Sequence, residues 1–315
     1  MSSVVLKVLV LGRRVLAEIS STPRPVNFAL LCVLSAALLW RPLIATFSLA
    51  LHSDQYTHII LILPISAALI CSEWNHVRPR PNPDAGAGKL LFVCGICIAA
   101  MDRWSVWLSP DVRLSVGMLA LIILWISAFL ICFGSGIARS VLFPLGFLFW
   151  MVPIPSFALV RIVQGLQQGS AFAAWLLFAA SGVPALRDGV LVSIPGLTVE
   201  VARECSSIRS SLMLLVTTMV LAHVLLKTFW RKALIILLAV PLSVAKNGLR
   251  IFTIAMLGIR VDRGFLTGHL HHDGGIVFFS LALAAIALLM RLLRRGERTI
   301  VSVPTLTPLT AGDVS

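Results

Sequence analysis

The chain has 315 residues, of which 58% are hydrophobic and 12% charged, and its mean hydropathy of +0.98 lies outside the range of soluble globular proteins. Its apolar runs are continuous rather than alternating, which excludes a β-barrel and a separate soluble domain and leaves an all-α, polytopic transmembrane bundle. The net charge of +13 comes from Lys and Arg in short clusters between apolar runs, a pattern of membrane topology and anionic-lipid contact, and not of nucleic-acid binding.

Residues 1–25 carry Lys7, Arg13, Arg14 and Arg24 without a small-residue cleavage site. They read as a cytoplasmic N-terminal segment, and the apolar run that follows as a retained anchor. The first span covers roughly Asn27 to Leu51, is interrupted at Arg41-Pro42, and ends at the polar loop His52 to His58. A second span, Ile59 to Trp74, returns to a loop holding His76, Arg78, Arg80 and Lys89 among prolines. The third, Leu90 to about Trp104, is short for a bilayer that needs about 20 apolar residues. The fourth runs from Leu114 to Phe133, and Ser140 to Val152 crosses next, ending at Pro153-Ile154-Pro155.

Ser156 to Ser181 is helical by composition but carries Arg161, Gln164, Gln167 and Gln168 in its first half. Gly165 and Gly169 would let another helix approach closely. The following apolar runs end at Lys227, Arg231 and Lys232, and at Arg291, Arg294, Arg295 and Arg298, both cytoplasmic signatures. Counting back from them leaves Ser156 to Ser181 interfacial or re-entrant, gives about eight spans with both termini inside, and puts Cys205 outside. Between Gly189 and Val201, β-branched residues flank Pro195-Gly196, which favours a type II turn and a short outer hairpin.

Three polar sites then stand at the outer ends of apolar segments: Glu204-Cys205-Ser206-Ser207-Ile208-Arg209-Ser210, Asn247 with Arg250, and His269, His271 and His272. Polar groups in lipid are costly unless they line a site. A thiolate is a nucleophile, an imidazole can move the proton, and a guanidinium offers fixed donors to a developing oxyanion. Cys94-x-x-Cys97 falls mid-helix without a second ligand pair and reads as packing, and the histidine cluster matches no metal motif, so no metal or cofactor is expected.

At these residues the chain resembles the exosortase/archaeosortase family of membrane-embedded protein-sorting transpeptidases. The resemblance rests on Glu204 to Ser210, on Asn247-Gly248-Leu249-Arg250-Ile251, and on His271 followed by Gly275 and Phe279. Asp54, Tyr56 and His58, Pro153-Ile154-Pro155 and the Ile-Pro-Gly step before the cysteine support it. Ser207 stands where the family usually has Gly.

The resemblance implies an exosortase-like membrane domain over 26–294; the tail over 295–315 lies outside it and reads, from its Pro and Thr content, as a disordered cytoplasmic tail. It makes Cys205 the nucleophile, Arg250 the oxyanion or thiolate stabiliser and His271 the general acid/base, with His269 and His272 as competing choices. Asn247, Arg209, Glu204, Asp54, Tyr56 and His58 would support them. It further implies a cysteine transpeptidase or protease of the cell inner membrane, its active site on the periplasmic face. The substrates would be exported proteins ending in a short motif, a transmembrane helix and a basic cluster, the PEP-CTERM type. The acceptor stays open. Competing readings are a hydrolase or acyltransferase at the same cysteine, a transporter, and a non-catalytic assembly protein of an export or exopolysaccharide system.

Overall fold

The computed structural model describes residues 24–74, 85–104, 107–201, 208–262, 264 and 269–301. The expected cytoplasmic segment before Arg24, the tail beyond Val301 and the stretch 202–207 lie outside them. The described residues are mostly helical, and the chain divides into two compact units, 1–159 and 160–315.

The first unit contains α1 (Arg24–Leu38), α2 (Trp40–His52), a 3-10 turn (Asp54–Tyr56), α3 (Ile59–Trp74), α4 (Gly86–Trp104), α5 (Pro110–Phe133), α6 (Ser135–Ser140) and α7 (Leu142–Phe147). The interruption expected at Arg41-Pro42 is a bend of 82° between α1 and α2. Pro42 has no N–H to donate to the carbonyl one turn back, so the helix cannot run straight through. Phe28, Trp74, Phe129 and Phe133 form an edge-on aromatic cluster, with Trp74 and Phe133 centroids 5.1 Å apart.

Helices α4 and α5 meet through glycine. A Cβ on Gly88 would lie 2.8 Å from the Ile131 backbone nitrogen, and one on Gly95 would lie 2.9 Å from Leu124 Cδ2. The Ser127 hydroxyl donates to the Gly88 carbonyl at 2.9 Å. Dispersion and small-residue contact drive helix association in lipid, so this seam carries much of the unit's cohesion. Gly88→Val is therefore expected to lower stability by about 1–3 kcal/mol through overpacking. Gly146→Ala, where a Cβ meets nothing within 4 Å, should be neutral; melting in detergent compares the two.

The second unit contains most of α8 (Ser156–Ala180), then β1 (Leu186–Asp188), β2 (Leu191–Ile194), β3 (Leu197–Glu200), α9 (Ile208–Leu225), α10 (Phe229–Arg260) and α11 (His269–Val301). The strands form an antiparallel sheet in the order β1-β2-β3, one strand more than the hairpin expected from sequence. Pro195-Gly196 makes the second turn, with Gly196 at φ +80 as a type II turn requires. Val192 and Ile194 lie in one apolar cluster with Ala171, Ala174 and Phe178 of α8 and with Ile251 and Ala255 of α10. A second core joins α9, α10 and α11 through Leu214, Ile235, Ala239, Ile286 and Met290.

Among the described residues, five helical segments are long and apolar enough to cross a membrane, or up to seven if each bent pair counts as one span. The pairs are α1 with α2, and Leu142–Met151 with α8, which break at Pro153-Ile154-Pro155. Gly86–Met101 is a shorter apolar helix, so the described residues give five to seven candidate spans against the eight expected. The chain is a multi-pass membrane protein.

Candidate active site

Helix α10 has 32 residues, about 48 Å at 1.5 Å per residue, against about 30 Å of bilayer hydrocarbon. It is therefore longer than the apolar layer is thick, and it tilts, bends at Pro241 or projects from that layer. The separation of Arg231 from Arg250 is about 28 Å by the same rise, so the two arginines fit opposite rims of one bilayer. At the first rim, Arg231 Nη1 donates to the Leu293 carbonyl near the end of α11 at 2.7 Å. Residues 226–228 fold α9 straight back along α10. The start of α9, the Asn247 to Arg250 turn of α10 and the start of α11 thus share the other end of this antiparallel trio.

Polar contacts at that end hold the chain on both sides of residues 202–207. Upstream, Val201 is fully buried; its N–H donates to the Val190 carbonyl at 3.0 Å, and its own carbonyl accepts Gln167 Nε2 of α8 at 2.9 Å. Downstream, Lys246 Nζ donates to the Ser210 hydroxyl, and the Ser243 hydroxyl donates to Ser211 at 2.5 Å. Both donors belong to α10, Lys246 one turn and Ser243 two turns before Arg250. Ser243, Lys246, Asn247 and Arg250 follow helical i, i+3, i+4, i+7 spacing, which places them on one face. Lys246 is 6% exposed and Asn247 0%. A buried lysine in a spanning helix costs on the order of 3 kcal/mol unless something holds it; here a hydroxyl does.

The turn is seated by glycine. A Cβ on Gly248 would come 2.5 Å from Ala173 Cβ and 3.0 Å from the backbone of Ala173 and Ala174, so α8 and α10 touch at the residue between Asn247 and Arg250. Gly169 adds a contact, its Cβ position 3.0 Å from Val244 Cγ1. Gly165, expected to share that role, faces open space, the contact being tightest at Gly248 and Ala173, looser at Gly169 and absent at Gly165. Gly248→Leu is expected to force the helices apart and to lower both melting temperature and whatever activity depends on Arg250. Gly165→Leu should change neither.

Of the residues singled out by sequence, Asn247, Arg250 and Arg209 stand at this end of the second unit, Arg250 half-buried and Arg209 exposed. Glu204 and Cys205 lie outside the described residues. His269, His271 and His272 occupy the first turn of α11, and their side chains are likewise outside the description.

Asp54, Tyr56 and His58 belong to the first unit. The buried Tyr56 donates its hydroxyl to the Ile154 carbonyl at 2.9 Å. Ser115 donates to the Pro153 carbonyl at 2.8 Å, and Asp111 Oδ2 accepts both the N–H (2.8 Å) and the hydroxyl (2.5 Å) of Ser156. The backbone groups freed by the Pro153-Ile154-Pro155 break are thus satisfied by side chains, as a break at membrane depth requires. His58 is 3% exposed and hydrogen-bonded to the Gln55 backbone; Asp54 is exposed.

Sequence reasoning missed Lys246 and Ser243. The available signal was the Lys246-Asn247 pair interrupting an apolar helix, on the same face as Arg250.

A family model described as transmembrane exosortase matches residues 46–288. No curated protein and no solved structure matches the chain.

Proposed function

The chain belongs to the transmembrane exosortase family, and from that premise we propose that it is a cysteine transpeptidase that removes the C-terminal sorting segment of exported proteins. The thiolate of Cys205 attacks the carbonyl of a peptide bond beside the segment's transmembrane helix. Arg250 donates to the oxyanion of the tetrahedral intermediate, and Asn247 and Arg209 flank it. The C–N bond breaks, the amine of the departing helix takes its proton from His271, and the rest of the substrate remains on Cys205 as a thioester. An external amine, deprotonated by the same imidazole, then takes the acyl group.

The observation that supports this reading best is the double anchorage of the cysteine-bearing stretch. Gln167 holds it at Val201, and Lys246 and Ser243 hold it at Ser210 and Ser211, on the helix that carries Asn247 and Arg250. A bundle is needed because the substrate arrives as a helix in the bilayer. The site faces the outside of the inner membrane, so the exported domain has already crossed when it is cut.

An impermeant maleimide tests the orientation, and it is expected to label Cys205 in intact cells stripped of their outer membrane. Labelling only after the inner membrane is opened would contradict it. Added amine nucleophiles separate transfer from hydrolysis: a transpeptidase yields the amine adduct of the processed protein, whereas a simple protease yields the free acid.

A further inference from the structure

The sheet beside the site ends in an unpaired strand. The Val201 N–H bonds the Val190 carbonyl, and the register pairs Val192 with Val199 and Ile194 with Leu197. Hydrogen-bonded pairs alternate in an antiparallel ladder, so Val201, Val199 and Leu197 turn their backbone groups toward β2. Thr198 and Glu200 must turn theirs outward, past the edge of the sheet. Both residues are exposed, and no described strand pairs with that edge.

The opposite edge differs. β1 has three residues, and its register leaves Arg187 alone to point outward; Arg187 is held against α8, donating to the Gln168 carbonyl at 3.4 Å with its guanidinium over the Phe172 ring. One outward residue cannot template a strand. β3 lies on the other flank of the sheet, in contact with α10, the helix of Asn247 and Arg250.

We propose that the free edge of β3 receives the extended motif of the sorting segment as an added β-strand, with Thr198 and Glu200 supplying the main-chain hydrogen bonds. This rests on the transpeptidase reading above. An unpaired edge binds an extended peptide through its backbone and so tolerates varied side chains, which suits an enzyme that processes many exported proteins. Reach is satisfied as well. Cys205 follows Glu200 by five residues, at most about 18 Å of extended chain, so a peptide of five or six residues along β3 can present its next bond to the thiol. Such a peptide must also be extended to be cut, and the edge strand fixes that conformation.

The test uses the full-length chain in proteoliposomes and a synthetic segment carrying a short polar motif, about 20 apolar residues and a basic cluster. Thr198→Pro removes one outward N–H without touching the ladder to β2. It is expected to lower kcat/KM at least tenfold with the melting temperature unchanged, while Thr198→Ala stays within about twofold, since it keeps the backbone donor. N-methylation along the motif should impair processing at least tenfold at positions two apart and be tolerated between them. Uniform tolerance, or losses without that two-residue period, would overturn the proposal, and this scan decides the matter even if Thr198→Pro fails to fold. Cys205→Ala run in parallel separates the two claims. Continued cutting by that variant ends the transpeptidase reading, whereas its silence beside a scan without the period ends only the strand docking.

Discussion

Cys205→Ala is expected to leave the sorting segment uncut while the protein inserts and folds as before. Among the described residues at this end of the second unit, the hydroxyls of Ser210 and Ser211 are hydrogen-bonded to Lys246 and Ser243. Arg250→Ala should cost about 10²–10³ in kcat, the usual effect of losing one oxyanion donor. His271→Ala should cost about 10²–10⁴, as for loss of a general acid/base, with His269→Ala and His272→Ala as the comparisons that identify the acting imidazole. Residues that act as one unit are not additive, so pairing Cys205→Ala with either variant should add nothing further. Processing assays with membrane-fraction controls read all of these.

The second large effect separates activity from stability. Lys246 is buried in a spanning helix, and its ammonium and the amino-terminal end of α9 have the same sign. Both favour an anion near the start of α9, where the Cys205 thiolate belongs in the proposed mechanism. Lys246→Met fills the same volume without the charge. Replacing a buried ionic group by an apolar one is often neutral or stabilising, so melting temperature should hold or rise. The rate should nevertheless fall about 10²-fold, because Ser210 loses its tether and the nucleophile is displaced from its acceptor. Lys246→Arg should recover part of the rate. The pH dependence of Cys205 alkylation gives a second signature, with reaction in the Met variant shifted to higher pH. If rate and stability fall together, Lys246 acts as packing alone.

The bundle was legible because long apolar runs in this chain have few alternatives, and the broken first span was legible because Pro42 removes a helical donor. Pro195-Gly196 identified its turn for the same local reason. β1 was not legible: Leu186, Arg187 and Asp188 are all exposed, so burial imposes no alternation on them. The close helix contacts at Gly88, Gly169 and Gly248 depend on what lies opposite, which no local pattern encodes, and Gly165, one turn from Gly169 in the same helix, faces nothing. Tyr56 drew attention as a polar residue at a span end, yet its hydroxyl caps the Ile154 carbonyl 98 positions away. Reactive residue types at span ends identified the candidate site; of the groups that hold its flanks, Lys246 left a signal as a charge interrupting an apolar helix, whereas Ser243 and Gln167 became visible only through their partners.

The central claim is that Cys205 carries the substrate. The most direct measurement is mass spectrometry of the reconstituted enzyme, quenched in acid during turnover of a sorting-segment substrate. A hydroxylamine-labile thioester joining the amino-terminal part of the substrate to the peptide that contains Cys205 is the expected result. Cut substrate with Cys205 unmodified throughout turnover, or an adduct on another residue, would contradict it.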